Sequence, residues 1–306
     1  MATIVTGTRS FGRSDRNGNR WIAWPVSAFG FIRKYPVIPI FILALLVFTA
    51  VFADFLAPAD PLKSDLYARN QPPFLFPGGS FDHILGADPI GRDTLSRIIH
   101  GARVSAVVMA VALAVGISLG TAMGLVAGYF GGAVDEIIMR VVDVWAALPY
   151  IMVALVIVVT LGQSFLVLVL LLALLSWTGA VRLVRAEVLS LRTRDYVAYA
   201  QSTGASNVRI LYRHLLPGVL NLVVVTATLS MGSIILTEAT LSFLGAGIPP
   251  PHPSWGSMVS QGRSYLNDAW WVATIPGICI FLVVMAGNFL GDWLRDRFDP
   301  RLRQLG

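Results

Sequence analysis

The chain has 306 residues, 56% apolar and only 13% charged, which excludes an ordinary soluble domain and marks a polytopic membrane protein. Its net charge of +6 is spread over several segments between apolar runs, without the aromatic and basic patch of a nucleic-acid binder, so no nucleic-acid partner is expected. A single cysteine, Cys279, excludes an intrachain disulfide, and the four scattered histidines form no metal-ligand pattern.

The fold class is all-α. Residues 1–36 read as a cytoplasmic tail, its first 20 rich in Gly, Ser, Thr and Arg and expected to be disordered. Residues 37–306 form one membrane domain. Apolar runs long enough for ~30 Å of hydrocarbon number six: Val37 to Leu56, Val104 to Tyr129, Val141 to Leu161, Phe165 to Val181, Val219 to Phe243, and Val272 to Leu290. A leader of 36 residues and a first run of about 20 both exceed a cleaved signal peptide, so the first run is kept as a span. With the N-terminus inside, 17 of the 23 Lys and Arg fall on the cytoplasmic side, which predicts that both termini are cytoplasmic.

Between the first two spans, Ala57 to Arg103 begins as Pro-rich coil. It ends in a predicted surface helix that Asp88-Pro89 would start, with Leu95, Ile98, Ile99 and Ala102 on one face. In the second span Gly116, Gly120, Gly124 and Gly128 recur every four residues, a face that lets another helix approach closely. Gly287 and Gly291 read the same way in the sixth. Asp143 lies near the cytoplasmic end of the third span and reads as a carboxylate satisfied locally.

Arg182 to Gly218 is a basic, non-apolar interruption of 37 residues that must lie outside the bilayer. Asp195 can cap a short helix, Tyr196 to Thr203, that Gly204 stops, and Ser206 can cap a second, Asn207 to Leu216, that Pro217-Gly218 ends. Val208, Leu211, Tyr212 and Leu215 form an apolar stripe on the second helix, while Asn207, Arg209 and Arg213 point elsewhere. A bent amphipathic pair of this kind suits docking; lying flat on the inner leaflet is the plainer reading.

In the fifth span, Glu238 and Ser242 are candidate pathway residues. A charge at mid-bilayer costs ~3 kcal/mol, and about a dozen large apolar residues return ~0.3 to 0.6 each, so the span tolerates Glu238. A carboxylate near the external interface, satisfied by a neighbour, explains Glu238 equally well. The last loop, Gly245 to Trp271, holds Pro249-Pro250-Pro251 and Trp270-Trp271, a stiff hairpin with interfacial anchors.

The only lysines, Lys34 and Lys63, follow no Gly-x-x-x-x-Gly pattern, so the phosphate loop of an ATPase is absent. Gly204, nine residues, and then His214-Leu215-Leu216-Pro217 resembles the Glu-Ala-Ala...Gly...Ile-x-Leu-Pro motif of ATP-binding-cassette importer permeases, with Ala198-Tyr199-Ala200 in place of Glu-Ala-Ala and His214 in place of Ile. The runs His83 to Arg97 with Gly101 to Arg103, Leu241 to Gly245 with Pro249 to Gly256, and Leu290 to Asp292 with Leu294 to Asp296 and Asp299 to Arg301 resemble the C-type permease of the dipeptide, oligopeptide and nickel branch.

That resemblance implies a subunit of the bacterial inner membrane without a catalytic site, paired with a second, related permease. The pair would sit above two ATPase subunits, which hold the ATP and magnesium, and would receive substrate from an extracytoplasmic binding protein. The chain itself would carry no cofactor. ATPase docking would then fall to the bent pair, from Asp195, Ala198, Tyr199 and Ala200 through Gly204, Ser206, Val208, Arg209, Leu211, Tyr212 and Arg213 to His214, Leu215, Leu216 and Pro217. Two other classes remain open: an ion-coupled secondary carrier, which would place ionisable groups and broken helices at mid-membrane, and a membrane scaffold without transport, which would need no docking pair.

Overall fold

A computed structural model describes residues 36–298. The tail expected over 1–36 lies outside the described residues except for Pro36, as does the matched run Asp299 to Arg301. Residues 38–298 form one compact helical unit. Its helices are α1 (Val37–Val51), α2 (Ala53–Leu56), α3 (Thr94–Phe130), α4 (Gly132–Ala147), α5 (Tyr150–Leu161), α6 (Phe165–Leu191), α7 (Asp195–Ser202), α8 (Asn207–Ile210), α9 (Leu216–Phe243), α10 (Trp255–Gly262) and α11 (Trp271–Phe298).

Among the described residues four continuous helical stretches are long and apolar enough to cross a bilayer: α3, α6, residues 207–243, and α11. The bent pair α4 and α5 makes a fifth if counted as one span. The run Val37 to Leu56 is not one helix: it yields the 15-residue α1 and the short α2, with Phe52 at φ −97° between them. Of the six expected spans, four are thus continuous helices and a fifth is a broken pair, while the first run yields only a short apolar helix.

Other boundaries move as well. The run Val141 to Leu161 is interrupted at Leu148-Pro149, where the chain bends by 84°. Proline lacks the amide hydrogen and pushes its predecessor out of the helical region, so Leu148 is extended at ψ 133°. The expected surface helix is instead the first ten residues of α3. Asp93, not Asp88, caps it by accepting from the Ser96 amide at 2.7 Å, and Arg97, Ile98 and Ile99 are buried there.

Phe165 to Val181 extends ten residues further, to Leu191, because Val184 and Val188 continue the buried face that packs on α3. The two arginines on that extension are met by α4: Arg182 donates to Asp143 at 2.9 Å, and Arg185 pairs with Asp135. The interruption Arg182 to Gly218 therefore shrinks to the two turns around α7.

The glycine face explains how α3 and α6 pack. A Cβ on Gly116 would stand 2.5 Å from the Ala173 carbonyl oxygen, on Gly120 2.5 Å from that of Trp177, on Gly124 2.8 Å from Val181 O, and on Gly128 2.8 Å from Val188 Cβ. Only hydrogen fits at four successive turns, so the two backbones touch along the whole interface. A Cβ on Gly291 would stand 2.5 Å from Leu229 of α9, whereas one on Gly287 would make only an ordinary 3.4 Å contact to Met231.

The two ends of the bundle differ. At one, the loop over 57–93, α10 and the start of α11 interlock. Trp255 Nε1 donates to Ile98 O at 3.0 Å, Trp271 Nε1 to Ala87 O at 3.1 Å, and Arg92 Nη2 to Gln261 Oε1 at 3.0 Å. At the other, Tyr129 of α3 donates to Asn207 Oδ1 at 2.9 Å, and Arg192 to Gly128 O at 3.1 Å, which holds the bent pair under the bundle.

Candidate functional site

The bent pair is built by local rules with two corrections. Asp195 is the first residue of α7 and caps nothing; Arg194 occupies the cap position, and no side chain there accepts a hydrogen bond. Asp195 still favours the helix by placing a negative charge at its positive end. At the other end, Gly204 is left-handed at φ +79°. Its amide donates to Gln201 O and that of Ala205 to Ala200 O, both at 3.0 Å, the paired closure of a Schellman turn. Ser206 then caps α8, accepting from the Arg209 amide at 3.4 Å.

Pro217-Gly218 does not end the second helix. The chain runs from α8 through a π-turn over Leu211–Leu215 directly into α9, with the Leu216 amide bonded back to Leu211 O. The wider turn makes room for the Pro217 ring, which would otherwise meet the carbonyl four residues earlier, and the proline sits in the first turn of α9.

That turn also changes which residues face inward. The stripe Val208, Leu211, Tyr212 and Leu215 divides: Leu215 is fully buried and Leu211 half-buried, while Val208 and Tyr212 are exposed. Each π residue rotates less than an α residue, so positions five apart, Ile210 and Leu215, come to share the inner side. Together with Val197 and Ala200 of α7 they pack on Leu125, Val184, Val188 and Val219. Ile210 and Val197 were the inward anchors that helical periodicity alone missed; their only sequence signal is being β-branched and apolar within a polar stretch.

What remains outward is Tyr199, Val208 and Tyr212 with Arg209 and Arg213. Between α7 and the π-turn lies a groove of about 620 Å³, lined by Asp195, Tyr196, Tyr199, Ala200 and Thr203 on one side and Ala205, Arg209, Arg213 and His214 on the other. The Tyr196 and His214 rings stand 6.4 Å apart in it. Ala198 is exposed and is not part of this lining, whereas Leu216 lies with Leu211 and Tyr212 in a separate apolar cleft of about 370 Å³ against Ile117, Thr121 and Leu125 of α3.

Glu238 and Ser242 lie elsewhere. Glu238 is 2% exposed even in the isolated chain, so it faces other elements of this chain rather than an open surface. Ser242 Oγ donates to Glu238 Oε1 at 2.8 Å and stands 3.4 Å from Ser254 Oγ. Ser242 also borders a polar cavity of about 250 Å³ at the loop-rich end, with Arg92, Arg97, Gln163 and Gln261. There Asp88 holds both guanidinium groups, Arg92 at 2.6 Å and Arg97 beside it.

The polar face of α9 is a different one. Thr226, Ser230, Ser233, Thr237 and Thr240 follow at alternating steps of four and three, on one side of the helix, and all are at least partly exposed. Each hydroxyl donates to a carbonyl of its own helix at 2.7–2.9 Å, which leaves its lone pairs outward.

Residues 116–304 match the family model described as binding-protein-dependent transport system inner membrane component, and residues 34–73 match the N-terminal TM domain of oligopeptide transport permease C. The di/tripeptide transport system permease protein DppC of Pseudomonas aeruginosa is 40% identical over 259 residues, 85% of this chain and 86% of that protein. The dipeptide transport system permease protein DppC of Escherichia coli is 43% identical over 271 residues, 89% of this chain and 90% of that protein. In fold, a chain from a structure entitled inward facing conformations of the MetNI methionine ABC transporter superimposes with a TM-score of 0.51 at 18% identity, covering 65% of this chain and 96% of that one. With its apolar helices and a family match across most of its length, this chain is a multi-pass membrane protein that belongs to the inner membrane components of binding-protein-dependent transport systems.

Proposed function

We propose that this chain is the C-type permease of a peptide-class ATP-binding-cassette importer, that it forms half of the translocation path, and that it docks one ATPase subunit at the groove beside α7. The observation that carries the docking role is the exposed aromatic and basic surface of Tyr199, Val208, Tyr212, Arg209 and Arg213, mounted on a buried apolar base. An element that only rested on lipid would not need such a base. A second, related permease, a second ATPase and an extracytoplasmic binding protein complete the assembly, and the ATPases hold ATP and magnesium. Peptides are the substrate class because the matched relatives are named for di- and tripeptide transport.

The hydroxyl face of α9 supports a role in the path. A row of outward lone pairs is costly against lipid and useful against a hydrated solute. Glu238 and Ser242 are less suited to it, being buried within this chain. The excess of Arg at the α7 end supports a cytoplasmic groove and cytoplasmic termini. An impermeant thiol reagent on intact cells should then label Tyr67→Cys and His252→Cys, both exposed at the loop-rich end, and spare Thr203→Cys beside the groove.

Gly204 tests docking. A Cβ there meets nothing within 4 Å, so the only penalty of a side chain is the left-handed backbone itself. Gly204→Val incurs about 1–3 kcal/mol and shifts the bend, whereas Asn tolerates the conformation. The valine variant should insert normally, lose its ATPase subunits on purification and fail to import, and Gly204→Asn should retain all three properties. Equal retention of ATPase by both variants would contradict the docking role.

A further inference from the structure

The groove carries charge on both walls and pairs none of it within the chain. Asp195 lines one side, and Arg209 and Arg213 line the other. All three are exposed, and among the described residues none makes an ion pair or a side-chain hydrogen bond. Ion pairs elsewhere near the bundle ends join Arg182 with Asp143, Arg185 with Asp135, and Arg103 with Asp54. Asp195 is the one carboxylate in the lining, and Ala198, one turn further along α7, offers no polar group.

We propose that the groove receives a segment of the ATPase subunit that brings a basic side chain to Asp195 and an acidic side chain to Arg209 or Arg213, so that the joint is ion-paired on both walls. This rests on the docking reading above. Two guanidinium groups alone would suit an anionic membrane surface. A carboxylate set opposite them repels a phosphate headgroup and selects a protein surface of mixed charge. The Tyr196 and His214 rings in the same groove supply apolar contact around the pairs and limit their exposure to solvent.

The test uses the full transporter, purified through a tag on this chain, with ATPase retention measured against salt concentration. Asp195→Asn should reduce retention by about tenfold and flatten its salt dependence. Adding Ala198→Glu to that variant returns a carboxylate to the same face of α7 and should restore most of the loss. Wild-type retention and salt dependence for Asp195→Asn, with ATPase released by Gly204→Val, would leave the docking site standing and refute the paired joint. If both variants keep their ATPase, the docking reading falls and takes the inference with it. A loss that Ala198→Glu does not restore and salt does not modulate is a packing loss, which also overturns the inference. So does a variant with both Arg209→Glu and Arg213→Glu that keeps its ATPase but binds phosphatidylglycerol vesicles more weakly, since the basic wall then belongs to lipid.

Discussion

Substituting Gly120 by alanine isolates the close approach of α3 and α6. The added Cβ would lie 2.5 Å from Trp177 O and 2.6 Å from Ala180 Cβ, where an ordinary contact needs about 3.4 Å or more, so the helices must part by nearly 1 Å. Overpacking of this kind costs about 1–3 kcal/mol. Separation also weakens the neighbouring contacts at Gly116 and Gly124, since a gap of 0.5–1 Å forfeits about a quarter to a half of each dispersion well. Against this, alanine gains up to about 1 kcal/mol over glycine inside a helix. Gly287→Ala makes the same change within α11, but there the nearest atom is 3.4 Å away. The propensity gain is common to both, so their difference is the overpacking cost alone. In SDS-titration unfolding of the detergent-solubilised chain, Gly120→Ala should be less stable than Gly287→Ala by about 1–3 kcal/mol. Equal midpoints for the two variants would refute the account of the glycine face.

Three further outcomes follow from buried contacts. Asp88→Asn removes the carboxylate that holds Arg92 and the 2%-exposed Arg97, and should cost about 3 kcal/mol in the same unfolding assay, because a buried guanidinium is left without its counter-charge. Trp255→Ala, which empties the site packed on Gly101 and breaks the bond to Ile98 O, should cost about 3–5 kcal/mol, and Trp255→Phe should recover most of it. Glu238→Gln keeps the shape of a side chain buried within the subunit and should leave peptide uptake within about twofold, whereas Ser233→Val with Thr237→Val, on the exposed hydroxyl face, should lower it by about tenfold or more; a reversed order would place Glu238 on the path instead.

Much of the architecture was legible in the residues. Composition alone established a helical membrane protein, because no other secondary structure satisfies its backbone within one apolar segment. The four-residue glycine repeat announced an interface, although only the packing names α6 as the partner. Gly204 and Ser206 were readable because a left-handed turn and an N-cap are local, set by one or two residues and their immediate backbone. The motif blocks and the docking pair likewise pointed to the importer family before any fold was known.

What only the tertiary structure decided is where helices begin and end, and which face of each is buried. Hydropathy records where the bilayer stops, but α6 runs on to Leu191 since its packing on α3 and its ion pairs to α4 outlast the apolar sequence. Thr94 to Arg103 joins α3 for the same reason, its face being covered by Trp255 and Asp88 rather than by lipid. The π-turn before Pro217 turned Ile210 and Leu215 inward and Tyr212 outward, a phase shift invisible to a pattern that assumes one constant rotation per residue. Glu238 is tolerated by its span on composition, yet only contact with Ser242 and burial within this chain set it apart from the outward hydroxyl row, because exposure belongs to the assembled helices and not to any single one.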